Sequence, residues 1–164
     1  MISDSRSQEL RFPYAYAFVS GASLLILELV AGRIVAPTIG VSLYTWTSVI
    51  GVVLAGIALG NYVGGRIADR FPSRATLSLL FLLSAAASAL VLGLTPHLDS
   101  LETPRDWPAL LRTLWPVALL FFLPSTLLGT ITPMLAKLSL LSLEATGRVV
   151  GRIQAAATIG SITG

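Results

Sequence analysis

The sequence contains no cysteine, which excludes disulfide bonds, thiol catalysis and thiolate metal sites. Charged residues are also scarce: they make up 12% of the chain, about half the share in an ordinary soluble domain. The formal net charge of +3 does not indicate nucleic-acid binding, because the basic residues fall between apolar segments rather than along one face. No cluster of residue types suited to catalysis or metal binding stands out. We therefore predict no catalytic site, no metal, no cofactor and no nucleic-acid partner.

What the chain has in abundance is apolar sequence, at 54% of its residues. A helix of about twenty apolar residues crosses a bilayer, and a soluble domain of this length has no core large enough for several such runs. We predict an all-α membrane protein, a bundle of about five transmembrane helices in a domain spanning 14–164. A cytoplasmic N-terminal segment, 1–13, precedes it. The predicted helices cover 14–36, 43–67, 75–94, 114–141 and 147–164.

The two ends of the chain carry their own expectations. The leader contains Asp4 and Glu9 and no small-residue cleavage site, so it does not resemble a cleavable signal peptide. The last apolar segment reaches Gly164 without a basic or aromatic flank. We therefore expect the chain to be part of a longer one.

Orientation follows from the distribution of arginine and lysine. With the N-terminus in the cytoplasm, eight basic residues lie inside and three lie outside, the latter being Arg33, Arg105 and Arg112. This bias predicts a multi-pass protein of the inner (cytoplasmic) membrane of a bacterium, with a cytoplasmic N-terminus. Its partners are the lipid bilayer and other membrane helices, which belong to the rest of its own chain, to a second copy or to the subunits of a larger complex.

Four polar residues interrupt the apolar segments: Glu28, Arg33, Asn61 and Gln154. A charge inside a membrane segment costs a few kcal/mol on insertion scales, so it normally faces a partner or water. Glu28 and Arg33 are about 140° apart on a helix, which disfavours a simple intrahelical pair. We expect Glu28 to point into the bundle near polar groups of another helix, either as a packing residue or as a proton or cation site. The available partners are Asn61, Thr126, Thr130 and Gln154.

Small residues and prolines mark the second and fourth segments. Gly56, Gly60 and Gly64 recur every four residues and so share one helix face, which predicts close helix packing or a sliding contact. Pro124 and Pro133 remove backbone hydrogen bonds and predict helix kinks. Kinked helices either simply pack or line a transport site, and neighbouring hydroxyl groups can bond to the freed carbonyls.

One stretch resembles a known motif. Gly65, Asp69, Arg70 and Arg74 fall where the signature loop between the second and third helices of the major facilitator superfamily has its glycine, acidic and basic residues. The resemblance implies a cytoplasmic signature loop and a bundle like the first half of a facilitator fold. Pro72 departs from the pattern, since the family often has glycine there. Any tight cytoplasmic turn also collects arginine by the positive-inside rule.

A wider pattern resembles the membrane part of bacterial proteins in which facilitator-like helices precede a spermidine-synthase-like domain. It comprises Gly21-Ala22, Leu27 to Arg33, Ala36-Pro37, Gly40, Ser42 to Tyr44, Trp46, Gly60, Gly64 to Arg66, Thr132-Pro133, Gly147-Arg148, Gly151-Arg152 and Gly160-Ser161.

The resemblance implies a transporter-like membrane module that is not catalytic alone, because no soluble α/β segment is present. Two alternatives stay open. The chain is an accessory subunit that packs against other membrane proteins, or it is the membrane anchor of an aminopropyltransferase-like enzyme whose catalytic domain is absent here.

Overall fold

The computed structural model describes residues 2–96, 106–139 and 146–164. Over these ranges the chain is helical, without strands. The six helices are α1 (Ile2–Ile39), α2 (Leu43–Arg70), α3 (Arg74–Leu94), α4 (Ala109–Gly129), α5 (Ile131–Ser139) and α6 (Thr146–Thr163). The predicted helical segments are therefore present. The segment predicted to precede the first span, 1–13, belongs to α1 from Ile2 onward.

Within the described residues, four stretches are long and apolar enough to cross a membrane: Pro13–Pro37, Leu43–Arg70, Arg74–Leu94 and Ala109–Ser139. The last of them joins α4 and α5. The structure thus supports a multi-pass membrane protein with four candidate spans rather than the five predicted. α6 forms as a helix but is not among the candidates, because Arg148, Arg152 and Gln154 interrupt its apolar residues.

The helix ends follow from local sequence. α1 ends at Ile39, and the next residue, Gly40, has a φ of 89°, in the left-handed region where glycine is favoured. Ser42 and Ser73 cap the next two helices, each with its hydroxyl oxygen accepting a hydrogen bond from the backbone N–H three residues on, at 3.2 and 3.0 Å. α4 begins directly after Pro108, five residues earlier than the apolar pattern predicted.

The predicted signature loop is mostly helix. α2 continues through Gly65, Asp69 and Arg70, and Arg74 is the first residue of α3, which leaves only a three-residue turn. The turn begins where Phe71 precedes Pro72, since the residue before a proline is disfavoured in the helical region. Nothing earlier in this stretch stops the helix, so the connection is residues 71–73, where the predicted helix bounds left 68–74.

The fourth predicted segment is interrupted at a single residue, Thr130. Pro133 explains this position, because it lacks the N–H that would bond to the carbonyl of Gly129 and its ring crowds that carbonyl. The Thr130 N–H and hydroxyl both donate instead to the carbonyl of Leu127, at 3.1 and 2.6 Å. Pro124, in contrast, lies inside a continuous α4. The helix is therefore interrupted near Pro133 and continuous at Pro124.

The bundle is organised as two close helix pairs: α2 packs mainly on α4, and α1 packs mainly on α6. α3 packs mainly on α4. The largest fully buried side chains include Leu77, Val49, Val53, Val117, Phe121, Ile131 and Met134. Large apolar side chains such as Leu54, Leu82, Leu92 and Leu123 stay exposed, as expected of a surface that faces lipid.

Candidate functional site

The α2–α4 pair is held at backbone distance by the glycines at four-residue spacing. Gly56, Gly60 and Gly64 are all buried. A Cβ at Gly60 would overlap the carbonyl oxygen of Thr126 and lie 2.9 Å from the Cα of Gly129. Along this contact the partners advance in the same direction on both helices, so α2 and α4 run parallel. The stripe packs within the chain, against α4 and its continuation at Thr130.

The α1–α6 pair has a similar contact, which sequence analysis did not single out as packing. A Cβ at Gly21 would overlap the carbonyl of Ala157, and a Cβ at Gly160 would overlap the carbonyl of Phe18. The Ser161 hydroxyl donates to the carbonyl oxygens of Gly21, at 3.0 Å, and Ala157, at 3.1 Å. In each pair the two helices therefore approach each other through glycines. A methyl group added at one of these glycines would force the two helices apart.

A cleft of about 170 Å³ lies where the two pairs meet. We call it the polar cleft. It is lined from α1 by Ser20, Gly21 and Leu24, from α2 by Ile57 and Asn61, from the α4–α5 break by Gly129 and Thr132, and from α6 by Gln154, Ala157, Thr158 and Ser161. Six of these lining residues carry a hydroxyl or amide group, and none carries a charge. All the lining residues of α1, α2, α4 and α5 fall within candidate membrane spans.

Ser20 is unusual among the hydroxyl residues of this bundle. It is 1% exposed, and its Oγ has no hydrogen-bond partner among the described residues. Most helical hydroxyls here donate to a carbonyl three or four residues earlier, as do those of Ser84, Ser125, Thr126, Ser139 and Thr163. Leaving a buried hydroxyl unpaired costs about 1–3 kcal/mol. The cleft therefore has an unpaired polar group in its wall.

The structure brings together two of the predicted polar residues. Asn61 and Gln154, from different helices, both line the polar cleft and are exposed. Asn61 lies nine residues before Arg70, so it is about 13 Å along the helix from that end of α2.

Glu28 lies one turn beyond Leu24 on the same face of α1 and is half-buried, but it does not line the cleft. No described residue makes a hydrogen bond or ion pair with Glu28. The hydroxyls of Thr126 and Thr130 bond instead to their own helix, at the carbonyls of Phe122 and Leu127. Arg33 is exposed and forms no pair with Glu28. The expected polar contact of Glu28 is therefore not made by these candidates.

Charged residues gather at one end of the bundle. Lys137, at the end of α5, donates a hydrogen bond of 2.7 Å to Asp69, near the end of α2. The Arg66 guanidinium lies 4.3 Å above the ring of Tyr62, one turn earlier. Within the described ranges, no three histidine or acidic side chains gather as a metal site would require.

Among the remaining polar residues of the cleft, sequence reasoning missed Ser20 and Thr158, and it named Thr132 and Ser161 only as parts of the family-like pattern. Single hydroxyl residues are common in membrane helices and carry no signal of their own. A helical-wheel comparison would have placed Gln154, Thr158 and Ser161 on one face of α6, since they are spaced by four and three. No comparable pattern identifies Ser20.

No protein-family model, curated protein or solved structure matches this chain.

Proposed function

We propose that this chain is a transporter-like membrane module, and that the polar cleft is the part of it that admits solute. The observation that carries the proposal is the position of the cleft. It lies between three candidate membrane spans and α6, and one wall is formed where α4 gives way to α5.

A helix break at membrane depth is costly unless the freed backbone groups are buried in protein or face a water-filled cavity. Transporters use such discontinuous helices to form their binding sites. Here Gly129 and Thr132, on either side of the interruption at Thr130, both line the cleft. The break and the polar side chains therefore coincide, as a solute site requires.

The resemblance to the membrane part of spermidine-synthase-like fusion proteins agrees with this proposal, since that part is facilitator-like. The hypothesis of an accessory subunit is weaker, because it relied on glycine faces to pack against a partner protein. Those faces pack against other helices of this chain. The reading as an enzyme anchor rests on the resemblance alone.

The proposal is tested by water access to the cleft. The chain has no cysteine, so single cysteines can be introduced without further changes. We expect Asn61→Cys and Gln154→Cys to react in membrane vesicles with a charged, water-soluble methanethiosulfonate reagent. The control is Leu82→Cys, on the exposed apolar face of α3, which should be unreactive because it faces lipid.

If Asn61→Cys and Gln154→Cys were as unreactive as Leu82→Cys, the cleft would be closed to water and the proposal would fail. Val117→Cys supplies a second control, because that side chain is fully buried in the core.

A further inference from the structure

The lining of the polar cleft indicates what kind of solute it takes. We propose that it binds a small, uncharged, hydroxyl-rich molecule, a polyol or a sugar, rather than a polyamine or an anion. This inference deepens the proposed function and rests on it.

The first step is charge. None of the cleft-lining residues is ionisable. A cationic solute taken out of water needs a compensating carboxylate, and an anionic solute needs a cation or a concentrated set of donors. The nearest carboxylate along α1, that of Glu28, lies a full turn beyond the last lining residue of that helix. A polyamine would therefore enter this cleft with its charges unpaired.

The second step is hydrogen-bond capacity. Asn61 and Gln154 each offer a carbonyl acceptor beside an NH₂ donor. Ser20, Thr132 and Thr158 add hydroxyls that both donate and accept. A molecule whose own groups also donate and accept, as adjacent hydroxyls do, is complementary to this mixture.

The third step is the unpaired Oγ of Ser20. It is buried in the wall, and its partner is not supplied by the described protein. A site built to bond a hydroxyl leaves polar groups unpaired when the ligand is absent, and this is the source of its selectivity for that ligand. We infer that Ser20 is a positioning contact for one hydroxyl of the solute.

The experiment uses the full chain in phosphatidylcholine nanodiscs, with Thr158→Cys as a reporter of occupancy. The rate of labelling by N-ethylmaleimide is measured with glycerol, erythritol or sorbitol, and with spermidine or gluconate as charged probes. We expect at least one of the three polyols to slow labelling in a saturable way, and neither charged probe to do so. Ser73→Cys, in the exposed turn between α2 and α3, is the control reporter whose labelling rate should not change.

Ser20→Ala, introduced beside the reporter, should weaken protection by the effective polyol about fivefold, the effect of one hydrogen bond. Ser48→Ala is the matched control. Ser48 is equally buried and its Oγ also has no partner among the described residues, but it does not line the cleft. Its removal should leave protection unchanged.

Each alternative outcome separates the two proposals. Protection by spermidine or gluconate would overturn the assignment to neutral solutes while leaving the cleft as a solute site. Labelling that no probe slows would mean that the cleft holds only water, and would also overturn it. A reporter that does not label at all would refute the proposed function itself. Equal losses from Ser20→Ala and Ser48→Ala would remove Ser20 from the site.

Discussion

Adding a single methyl group at Gly60 is the sharpest test of how the α2–α4 pair is built. In Gly60→Ala the new Cβ would overlap the Thr126 carbonyl oxygen and would lie 2.9 Å from the Cα of Gly129 and 3.0 Å from its carbonyl carbon. Ordinary van der Waals contact begins near 3.4 Å. The helices must therefore separate by at least about half an ångström at the crossing point, and by more at Thr126.

Overpacking of this kind costs about 1–3 kcal/mol, because neighbouring side chains also lose contact when the backbones separate. Alanine is the better helix former by up to about 1 kcal/mol, which offsets part of that cost. We expect Gly60→Ala to lower the free energy of unfolding by about 1–2 kcal/mol, and Gly60→Leu by more.

The chain supplies its own controls. Gly51 and Gly65 lie on the same helix, and a Cβ at either position meets nothing within 4 Å. Gly51→Ala and Gly65→Ala should therefore leave stability unchanged or raise it slightly. Stability is compared by reversible unfolding in mixed micelles with increasing sodium dodecyl sulfate. If Gly60→Ala were as stable as Gly51→Ala, the glycine contact would not be the one that holds α2 against α4.

Three further predictions concern charges and topology. Ser73→Cys and Asp106→Cys, both exposed positions, should label from opposite sides of the membrane, since the basic-residue bias places the first inside; labelling from one side would contradict the topology. Glu28→Gln should change the free energy of unfolding by less than about 0.5 kcal/mol, because no described residue pairs with the carboxylate; a larger loss in the same micelle titration would reveal a partner. Lys137→Ala should cost at most about 1 kcal/mol, because the partner side chain, Asp69, is 71% exposed; a greater loss would show that this pair joins a larger network.

The helical architecture could be predicted from sequence because membrane helices are recognised by the length and apolar content of their segments. The predicted bounds of α3 and α6 differ from the observed ones by one residue. The errors arise where the apolar run and the helix are not the same length. α2 runs on past the predicted run to Arg70, since only Pro72 stops it. α4 starts at Ala109, directly after Pro108, because the apolar residues 109–111 before Arg112 also belong to the helix.

The polar site was only partly predictable. Asn61 and Gln154 stand out as amides in apolar segments, but nothing in sequence says that they share one cleft, since they lie on helices far apart in the chain. The expected centre, Glu28, is the most conspicuous residue in the sequence and yet lies a turn away from the cleft. A charged residue stands out in a membrane segment because its insertion costs free energy. Single hydroxyl and amide residues do not stand out in this way, and a polar surface made of them forms only when the helices pack together.

The two glycine contacts also bear on how such a cleft would work. The helices of each pair, α2–α4 and α1–α6, approach at backbone distance through their glycines, so an added Cβ at these positions would clash. The cleft lies between the pairs, where polar side chains rather than interlocked backbones face each other. The interruption at Thr130 lies beside the cleft, and Gly64 of α2 packs closely against Thr130 and Pro133 there. In the proposed transporter-like module, we therefore expect solute to change the packing at the polar contact between the pairs before it changes the glycine contacts within them, because added atoms are tolerated only at the former.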